Sequence, residues 1–138
     1  MSHAGRWIAL SSLLLMIIFL SSETSATVSA AAAGDADRGR VLFEKRCTGC
    51  HSLDHDMEGP RLRTVYGRKT GDVTSFSYSA TLKSAQITWN DVSLDKWLTD
   101  PDSLVPGNDM SFHVPNPNER ADIIRFLKVT SEKQKNPE

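Results

Sequence analysis

The sequence predicts a small all-α fold in which short helices are joined by long loops. Residues 34–47, 89–101 and 116–132 space their apolar side chains as amphipathic helices do. Between the first two segments, residues 48–88 are dense in Gly, Ser, Thr, Asp and Pro and show no sustained strand-like alternation. A loop of that length is unusual in a small domain unless it wraps around something.

The N-terminal segment has the pattern of a secretory signal peptide. One positive charge, Arg6, precedes a fourteen-residue apolar run that ends at Leu20, and small residues follow. Because this run is shorter than the ~20 residues of a transmembrane helix, we expect cleavage rather than anchoring. The cut is expected within residues 30–33. The predicted domains are the signal peptide, residues 1–33; the mature domain, residues 34–130; and a polar tail, residues 131–138.

Charge and size narrow the class of protein. The chain has a net charge of −1, and removal of residues 1–33 leaves that value unchanged because Arg6 and Glu23 cancel. A nearly neutral surface does not indicate nucleic acid or an anionic membrane surface as a partner. A domain of roughly 105 residues buries a modest core and often gains stability from a cofactor or a cross-link.

The first two helices have recognisable ends. Asp35 or Asp37 can cap the first helix, because a short polar side chain satisfies the unpaired N–H groups of its first turn. Asn90 or Asp91 can cap the second, and Pro101 is expected to end it.

The third helix has the clearest start. Asn116 suits the N-cap, Pro117 the first helical position, and Glu119 stands three residues after the cap, as in a capping box. The expected apolar faces of the three helices comprise Val41, Leu42 and Phe43; Val92, Leu94, Trp97 and Leu98; and Ile123, Phe126 and Leu127.

The two cysteines of the chain, Cys47 and Cys50, stand in RCTGCHSLD with His51 directly after the second. A disulfide is the default in an exported chain, but a bridge across two residues restrains very little unfolded chain. A thioredoxin-like redox pair expects a βαβ context, which is lacking here. A zinc site needs more ligands, and the mature chain adds only His55 and His113.

Covalent haem is the fourth interpretation of this motif, and the one that we favour. Cys47 and Cys50 would form thioethers with the two vinyl groups, and His51 would be the proximal ligand of the iron. Two attachments three residues apart pin one turn of chain across the macrocycle, which holds the next residue beneath the iron. Export agrees with this chemistry, and a haem would serve as the core that the long loop wraps. We therefore predict one haem c, attached through two thioethers.

A hexacoordinate iron needs a second axial ligand, for which Met110 is our choice. It lies far downstream in LVPGNDMSF, where a Pro-Gly turn can press the loop against the haem. A methionine that fills a gap in the core would be expected within a helical pattern of apolar residues, and no such pattern surrounds Met110. Met57 and His55 follow His51 too closely to reach the other face, and His113 is a substitute if the loop rearranges.

With these features, the mature chain resembles the class I c-type cytochromes, close to the mitochondrial cytochrome c and bacterial cytochrome c2 group. The resemblance runs from about residue 34 to residue 128, with motifs in matching order: CTGCH, GPRL, YGRKTG, FSYS, ITW, LDKWLTDP, VPGNDM and the terminal helix. It implies the class I cytochrome c fold, in which three to five short helices and long loops surround one covalently bound haem.

The resemblance also implies roles for residues around the haem. Pro60 would accept a hydrogen bond from His51 through its carbonyl, which orients the ring and raises its basicity. Arg68, Tyr78 and Trp89 would neutralise or hydrogen-bond the propionates, whose burial as bare carboxylates is costly.

Several positions depart from the family pattern. Trp97 stands where many members have a tyrosine that reaches the methionine sulfur, and Asn108 stands where a threonine commonly bonds a propionate. Leu82 replaces a common asparagine, which should make that side of the haem drier. Asp102 and Asp109 replace docking lysines, so the positive ring that meets an acidic oxidase is weakened.

The expected function is that of a soluble periplasmic electron carrier that cycles between Fe(III) and Fe(II) without substrate turnover. We expect a monomer whose partners are redox proteins (a cytochrome reductase, an oxidase or a periplasmic dehydrogenase), with no nucleic acid and no stable membrane insertion after signal cleavage. Two alternatives stay open. A haem enzyme or gas-binding module needs a labile sixth ligand and a distal acid–base residue, for which His113 is the one candidate. A dedicated subunit of a dehydrogenase or reductase chain is the other.

Overall fold

The computed structural model describes residues 34–136; the predicted signal peptide and the last two residues lie outside this range. The predicted all-α fold with three to five helices is confirmed, and within the described range the strand content is one isolated antiparallel bridge between Lys69 and Thr88. None of the helices in this range is both long and apolar enough to span a membrane. The helices are α1, Ala36–Arg46; α2, Ala80–Ser84; α3, Asp91–Thr99; α4, Pro101–Leu104; and α5, Pro117–Lys135.

Helix α1 begins at the predicted cap. The carboxylate of Asp35 accepts hydrogen bonds from the backbone N–H groups of Asp37 and Arg38, both at 2.9 Å. Of its apolar residues, Phe43 is buried, whereas Val41 is 53% exposed. The expected core position of Val41 is therefore wrong, because side chains two apart on a helix point in nearly opposite directions and α1 packs through the Phe43 side.

Helix α1 crosses α5 at a glycine. A Cβ atom at Gly39 would lie 2.0 Å from the carbonyl oxygen of Asp122, so the backbones approach closely only because this residue is glycine. One turn further along α1, the rings of Phe43 and Phe126 pack with their centroids 5.3 Å apart. Ile123 is 1% exposed beside them. The crossing thus forms one wall of the core.

The carboxylate of Asp122 fastens the start of α1 to α5. It accepts hydrogen bonds from the backbone N–H of Asp35 at 2.6 Å and from the guanidinium of Arg38 at 2.9 Å and 3.0 Å. The hydrogen bond from Arg38 is the main cause that lowers the pKa of Asp122 below its usual value. This buried carboxylate is therefore held ionised and paired.

Helix α3 has a complete capping box. The Asn90 side chain accepts from the N–H of Val92 and of Ser93, both at 3.0 Å, and the Ser93 hydroxyl accepts from the N–H of Asn90 at 2.8 Å. Pro101 follows α3 as predicted and occupies the first position of α4. Leu94, Trp97 and Leu98 are buried, but Val92 is 64% exposed, so its expected place on the apolar face is wrong.

Helix α5 begins as predicted but uses Glu119 differently. The Asn116 side chain accepts from the N–H of Asn118 at 2.9 Å, which caps the helix. The carboxylate of Glu119 pairs with the guanidinium of Arg46 at 2.8 Å instead of reaching back to the cap. The pair joins the end of α1 to the start of α5.

The C-terminal end of α5 belongs to the domain. We expected a polar tail from residue 131, but the helix continues to Lys135 and Ser131 is 1% exposed. The Ser131 hydroxyl accepts from the N–H of Tyr66 at 3.1 Å and donates to the carbonyl of Arg63 at 2.9 Å. A small polar side chain can be buried when its hydrogen bonds are satisfied, which polarity alone does not reveal.

Candidate haem-binding site

The segment from Cys47 to His51 continues α1 as one helical turn. The backbone N–H groups of Cys50 and His51 donate to the carbonyl of Cys47 at 3.1 Å and 2.9 Å. Residues three and four apart on such a turn lie on the same side. The two thiols and the imidazole are therefore presented to one side, as a group attached at both sulfurs requires.

The state of the thiols bears on the alternative interpretations of the motif. Cys47 and Cys50 are both unbridged. Burial raises the pKa of the Cys47 thiol to about 11, whereas redox-active cysteines have lowered pKa values. Within residues 34–136, no group of three or more His, Cys, Asp or Glu side chains could hold a metal ion. Neither a disulfide, a redox pair nor a zinc site is supported.

The imidazole of His51 is oriented by the loop that follows it. Its Nδ1 lies 2.8 Å from the carbonyl oxygen of Pro60. Because a carbonyl oxygen only accepts, this hydrogen bond places the proton on Nδ1 and leaves the lone pair on Nε2. A Cβ atom at Gly59 would lie 2.2 Å from the ring, so glycine is what allows this approach. Burial lowers the pKa of His51, which favours the neutral imidazole that a metal ligand must be.

The sulfur of Met110 is also held in place. It accepts a hydrogen bond from the indole Nε1–H of Trp97 at 3.1 Å, and Met110 packs against the buried core. The other three candidates lie at the surface. Met57 is 44% exposed, and His55 and His113 are exposed. Of the four candidates for the second axial position, Met110 is the one that is half-buried against the core, with its sulfur held by a hydrogen bond.

Asn108 makes its contacts within the loop that carries Met110. Its Oδ1 accepts from the backbone N–H of Met110 at 2.7 Å. Its Nδ2 donates to the carbonyl of Val105 at 3.0 Å and to the carboxylate of Asp102 at 3.1 Å. Both N–H donors of the amide therefore have partners within the protein.

The guanidinium of Arg68 is a candidate partner for an anionic group. It donates to the Thr64 hydroxyl at 3.2 Å and to the Arg61 carbonyl at 3.0 Å, while its Nε is buried without a partner among residues 34–136. The backbone N–H of Trp89 donates to the Arg68 carbonyl at 2.9 Å, which places these two residues side by side. Burial raises the pKa of Tyr78, and the charge of Arg68 opposes that shift. A buried N–H without an acceptor is costly, and a carboxylate would satisfy it.

These observations together fit a covalently attached haem. The thiols and the imidazole share one side of a turn, and the Met110 sulfur is held by Trp97 against the core. The buried Nε of Arg68, which has no partner among residues 34–136, could donate to a propionate. Sequence reasoning did not single out Gly59, although its place before Pro60 in GPRL is the signal that could have shown it. It also missed Asp102 as a partner of Asn108, because a carboxylate six residues away carries no local signal.

Comparison with known proteins decides the family. A family model described as Cytochrome c matches residues 36–131. The chain belongs to the cytochrome c family. Cytochrome c of Euglena viridis is 43% identical over 99 residues, which cover 70% of this chain and 97% of the relative. Cytochrome c2 of Rhodomicrobium vannielii is 40% identical over 105 residues, which cover 73% of this chain and 83% of the relative.

A solved structure agrees with the sequence comparison. Cytochrome cH from Methylobacterium extorquens matches with a TM-score of 0.66 and 36% identity, and the match covers 70% of this chain and 99% of that one. Membership of the cytochrome c family confirms the predicted class I fold and the covalent haem c cofactor. The protein is a monohaem electron carrier that acts with redox partners and not an enzyme, so the alternative of a haem enzyme is not supported.

Proposed function

We propose that this cytochrome c is a periplasmic carrier whose haem iron is bound axially by His51 and Met110. Cys47 and Cys50 would form the two thioethers. Residues 1–33 would be a signal peptide that is removed after export, because a short apolar run follows one basic residue and precedes small residues. The relative named cytochrome c2 is bacterial, which agrees with an exported protein.

The observation that carries the axial assignment is the fixed sulfur of Met110. An exposed loop would leave a methionine free to rotate, but here the sulfur is held at 3.1 Å from the indole nitrogen of Trp97. A hydrogen bond donated to a thioether leaves its second lone pair able to bind a metal. His51 is prepared in the same way, because Pro60 holds Nδ1 and leaves Nε2 with its lone pair.

When bound, the haem iron supplies one-electron Fe(III)/Fe(II) chemistry. The work of the chain is to keep the imidazole and the thioether in one place in both oxidation states. Thioether ligation in an apolar pocket favours Fe(II), so we expect a reduction potential well above that of a bis-histidine haem. Arg68 would offset the charge of the propionates, and Tyr78 and Trp89 would hydrogen-bond them.

Partners of this carrier would be redox proteins that dock briefly. A cytochrome reductase, an oxidase or a periplasmic dehydrogenase is the expected kind, and rapid exchange calls for a small and weak interface. Asp102 and Asp109 are exposed near Met110, so the positive ring that mitochondrial members use for docking would be weakened here. The carrier itself would be a monomer.

The visible spectrum of the haem-loaded protein tests the axial assignment. We expect a weak far-red band in the oxidised form and no rapid binding of carbon monoxide by the reduced form. Met110→Ala should remove the band and admit carbon monoxide, whereas Met57→Ala, at an exposed methionine, should change neither. A band that survives in Met110→Ala would mean that another residue is the ligand.

Export is tested separately. Cell fractionation and N-terminal sequencing of the haem-loaded protein should find it in the periplasm, with a mature end near Gly34. A chain that retains Arg6 and sediments with membranes would mean that the N-terminal segment is an anchor.

A further inference from the structure

We infer that Asn108 is a positioning residue for the axial methionine and joins Met110 to helix α4. The inference rests on the proposed ligation by Met110. The resemblance implies a contact between Asn108 and a propionate, whereas this inference rests on the hydrogen bonds that the amide makes within the Met110 loop and to α4.

The hydrogen bonds of Asn108 form a bridge. On one side, its Oδ1 accepts from the backbone N–H of Met110 at 2.7 Å. On the other side, its Nδ2 donates to the carboxylate of Asp102 in α4 at 3.1 Å and to the carbonyl of Val105 at 3.0 Å. Asp102 lies in a helix that Asp100 caps through the N–H of Ser103 at 3.2 Å. The backbone of the ligand is thereby fixed to a helix.

The rest of this loop is held mainly through its backbone. Pro106 and Asp109 are exposed, so their side chains contribute little packing, while the N–H of Asn108 donates to the carbonyl of Val105 at 3.2 Å. Gly107 turns the chain with a φ of +76°, and its carbonyl accepts from the Thr81 hydroxyl at 2.8 Å. This contact lies on the far side of Asn108 from Met110. Besides its packing against the core, Met110 has two hydrogen bonds: one from the indole of Trp97 to its sulfur, and one from its backbone N–H to Asn108.

The chemistry of the side chain explains why an amide suits this position. A hydroxyl has a single hydrogen to donate, so threonine could not supply both donated bonds while accepting from Met110. Asparagine has two N–H donors and one oxygen acceptor, and all three groups are used here. Asparagine in place of the threonine of the family pattern therefore adds a second N–H donor at this position, and both donors are used.

If Asn108 positions Met110, its loss should raise the population in which the sulfur has left the iron. External ligands bind that population, so their apparent affinity reports its size. In haem-loaded, oxidised Asn108→Ala we expect imidazole to bind about tenfold more tightly, since hydrogen bonds of ~1 kcal/mol each are lost. The far-red band should weaken at lower temperature than in the wild type.

Matched variants separate positioning from general destabilisation. Asp102→Ala should tighten imidazole binding severalfold, whereas Asp102→Asn should be close to the wild type, because its amide oxygen still accepts from Asn108. Asn118→Ala, at an exposed position in the first turn of α5, should have no effect. Asn108→Thr serves if Asn108→Ala does not load haem, and it too should bind imidazole more tightly.

The outcomes are distinct. If Asn108→Ala and Asn108→Thr leave imidazole affinity unchanged but shift the reduction potential, Asn108 acts on a propionate and the inference fails. It also fails if Asp102→Ala behaves as the wild type. If the wild-type protein has no far-red band, the assignment of Met110 as ligand fails instead, which is a different result.

Discussion

The indole N–H of Trp97 and the sulfur of Met110 are joined by a hydrogen bond of 3.1 Å. Many family members place a tyrosine hydroxyl at this position, which can donate or accept. An indole N–H only donates, so the direction of this bond is fixed. The ring of Trp97 also packs edge-on against Trp89, with centroids 5.3 Å apart, and has little freedom to turn away. The bond is therefore a constant part of the ligand environment.

Replacing Trp97 by phenylalanine should lower the reduction potential. The donated hydrogen bond draws electron density from the sulfur and disfavours Fe(III), so its loss stabilises the oxidised state. A net hydrogen bond of about 0.5–1.5 kcal/mol limits the change to roughly 60 mV. A redox titration measures it, with Tyr66→Phe as control because that hydroxyl bonds to Asp91 instead. A raised potential would contradict the argument.

Replacing Gly39 by alanine should destabilise the fold. The added Cβ would stand 2.0 Å from the carbonyl oxygen of Asp122, so α1 and α5 must separate. Overpacking of this kind costs about 1–3 kcal/mol or more. Guanidinium unfolding should show a lower midpoint for Gly39→Ala. Gly49→Ala is the matched control, because a Cβ there meets nothing within 4 Å. Equal midpoints for the two variants would show that the crossing tolerates a side chain.

Acid should weaken the contact made by Asp122. Its pKa is lowered in the folded state, mainly by the hydrogen bond from Arg38, so its contribution is complete above the unfolded pKa of about 3.9. The contribution is lost as the pH falls through the lower folded value. Asp122→Asn should therefore have a lower Tm at neutral pH, with a difference that shrinks below about pH 4. Asp37→Asn removes a charge from an exposed site in α1 and should change Tm little. If the Tm difference for Asp122→Asn stays constant down to pH 2, the ionised Asp122 carboxylate does not contribute to stability through Arg38.

The charge of Asp109 should limit exchange with an acidic partner. With an oxidase whose docking face is acidic, Asp109→Lys should raise the low-salt rate roughly severalfold and make it fall more steeply with added salt. Stopped-flow oxidation across a range of salt concentrations measures both quantities. Asp37→Lys carries the same charge change outside the segment of Met110 and should have a smaller effect. Equal effects of the two variants would mean that net charge, not the docking face, sets the rate.

The strong local signals predicted much of the fold. Asp35, Asn90 and Asn116 cap the three helices that the sequence indicates, because capping depends on neighbouring residues. Helices α2 and α4 were not predicted, since five and four residues are too few to show a period.

The errors concern contacts between distant segments. Whether Val41 and Val92 face the core depends on how the helices pack, and both are exposed. Glu119 has a capping-box position, yet Arg46 on α1 takes its carboxylate. Ser131 was expected in a polar tail, but it is buried and hydrogen-bonded to the backbone of Tyr66 and Arg63. For the site, the motif and the resemblance indicated the candidate ligands. The contacts of Asn108 could not be predicted in this way, because they depend on how the loop folds against α4.

Helices α1 and α5, which pack together and close this domain, are the first and the last of the helices between residues 34 and 136. Asp35 and Asp122 meet across a separation of 87 residues, and the cysteines follow directly after α1. Because a chain is made from its N-terminus, Cys47 and Cys50 are synthesised before α5, which then has yet to pack against α1. Once α5 docks, Cys47 packs against the core and becomes harder to reach. We therefore expect the Cys47 sulfur to be more accessible to a haem before α5 docks than afterwards.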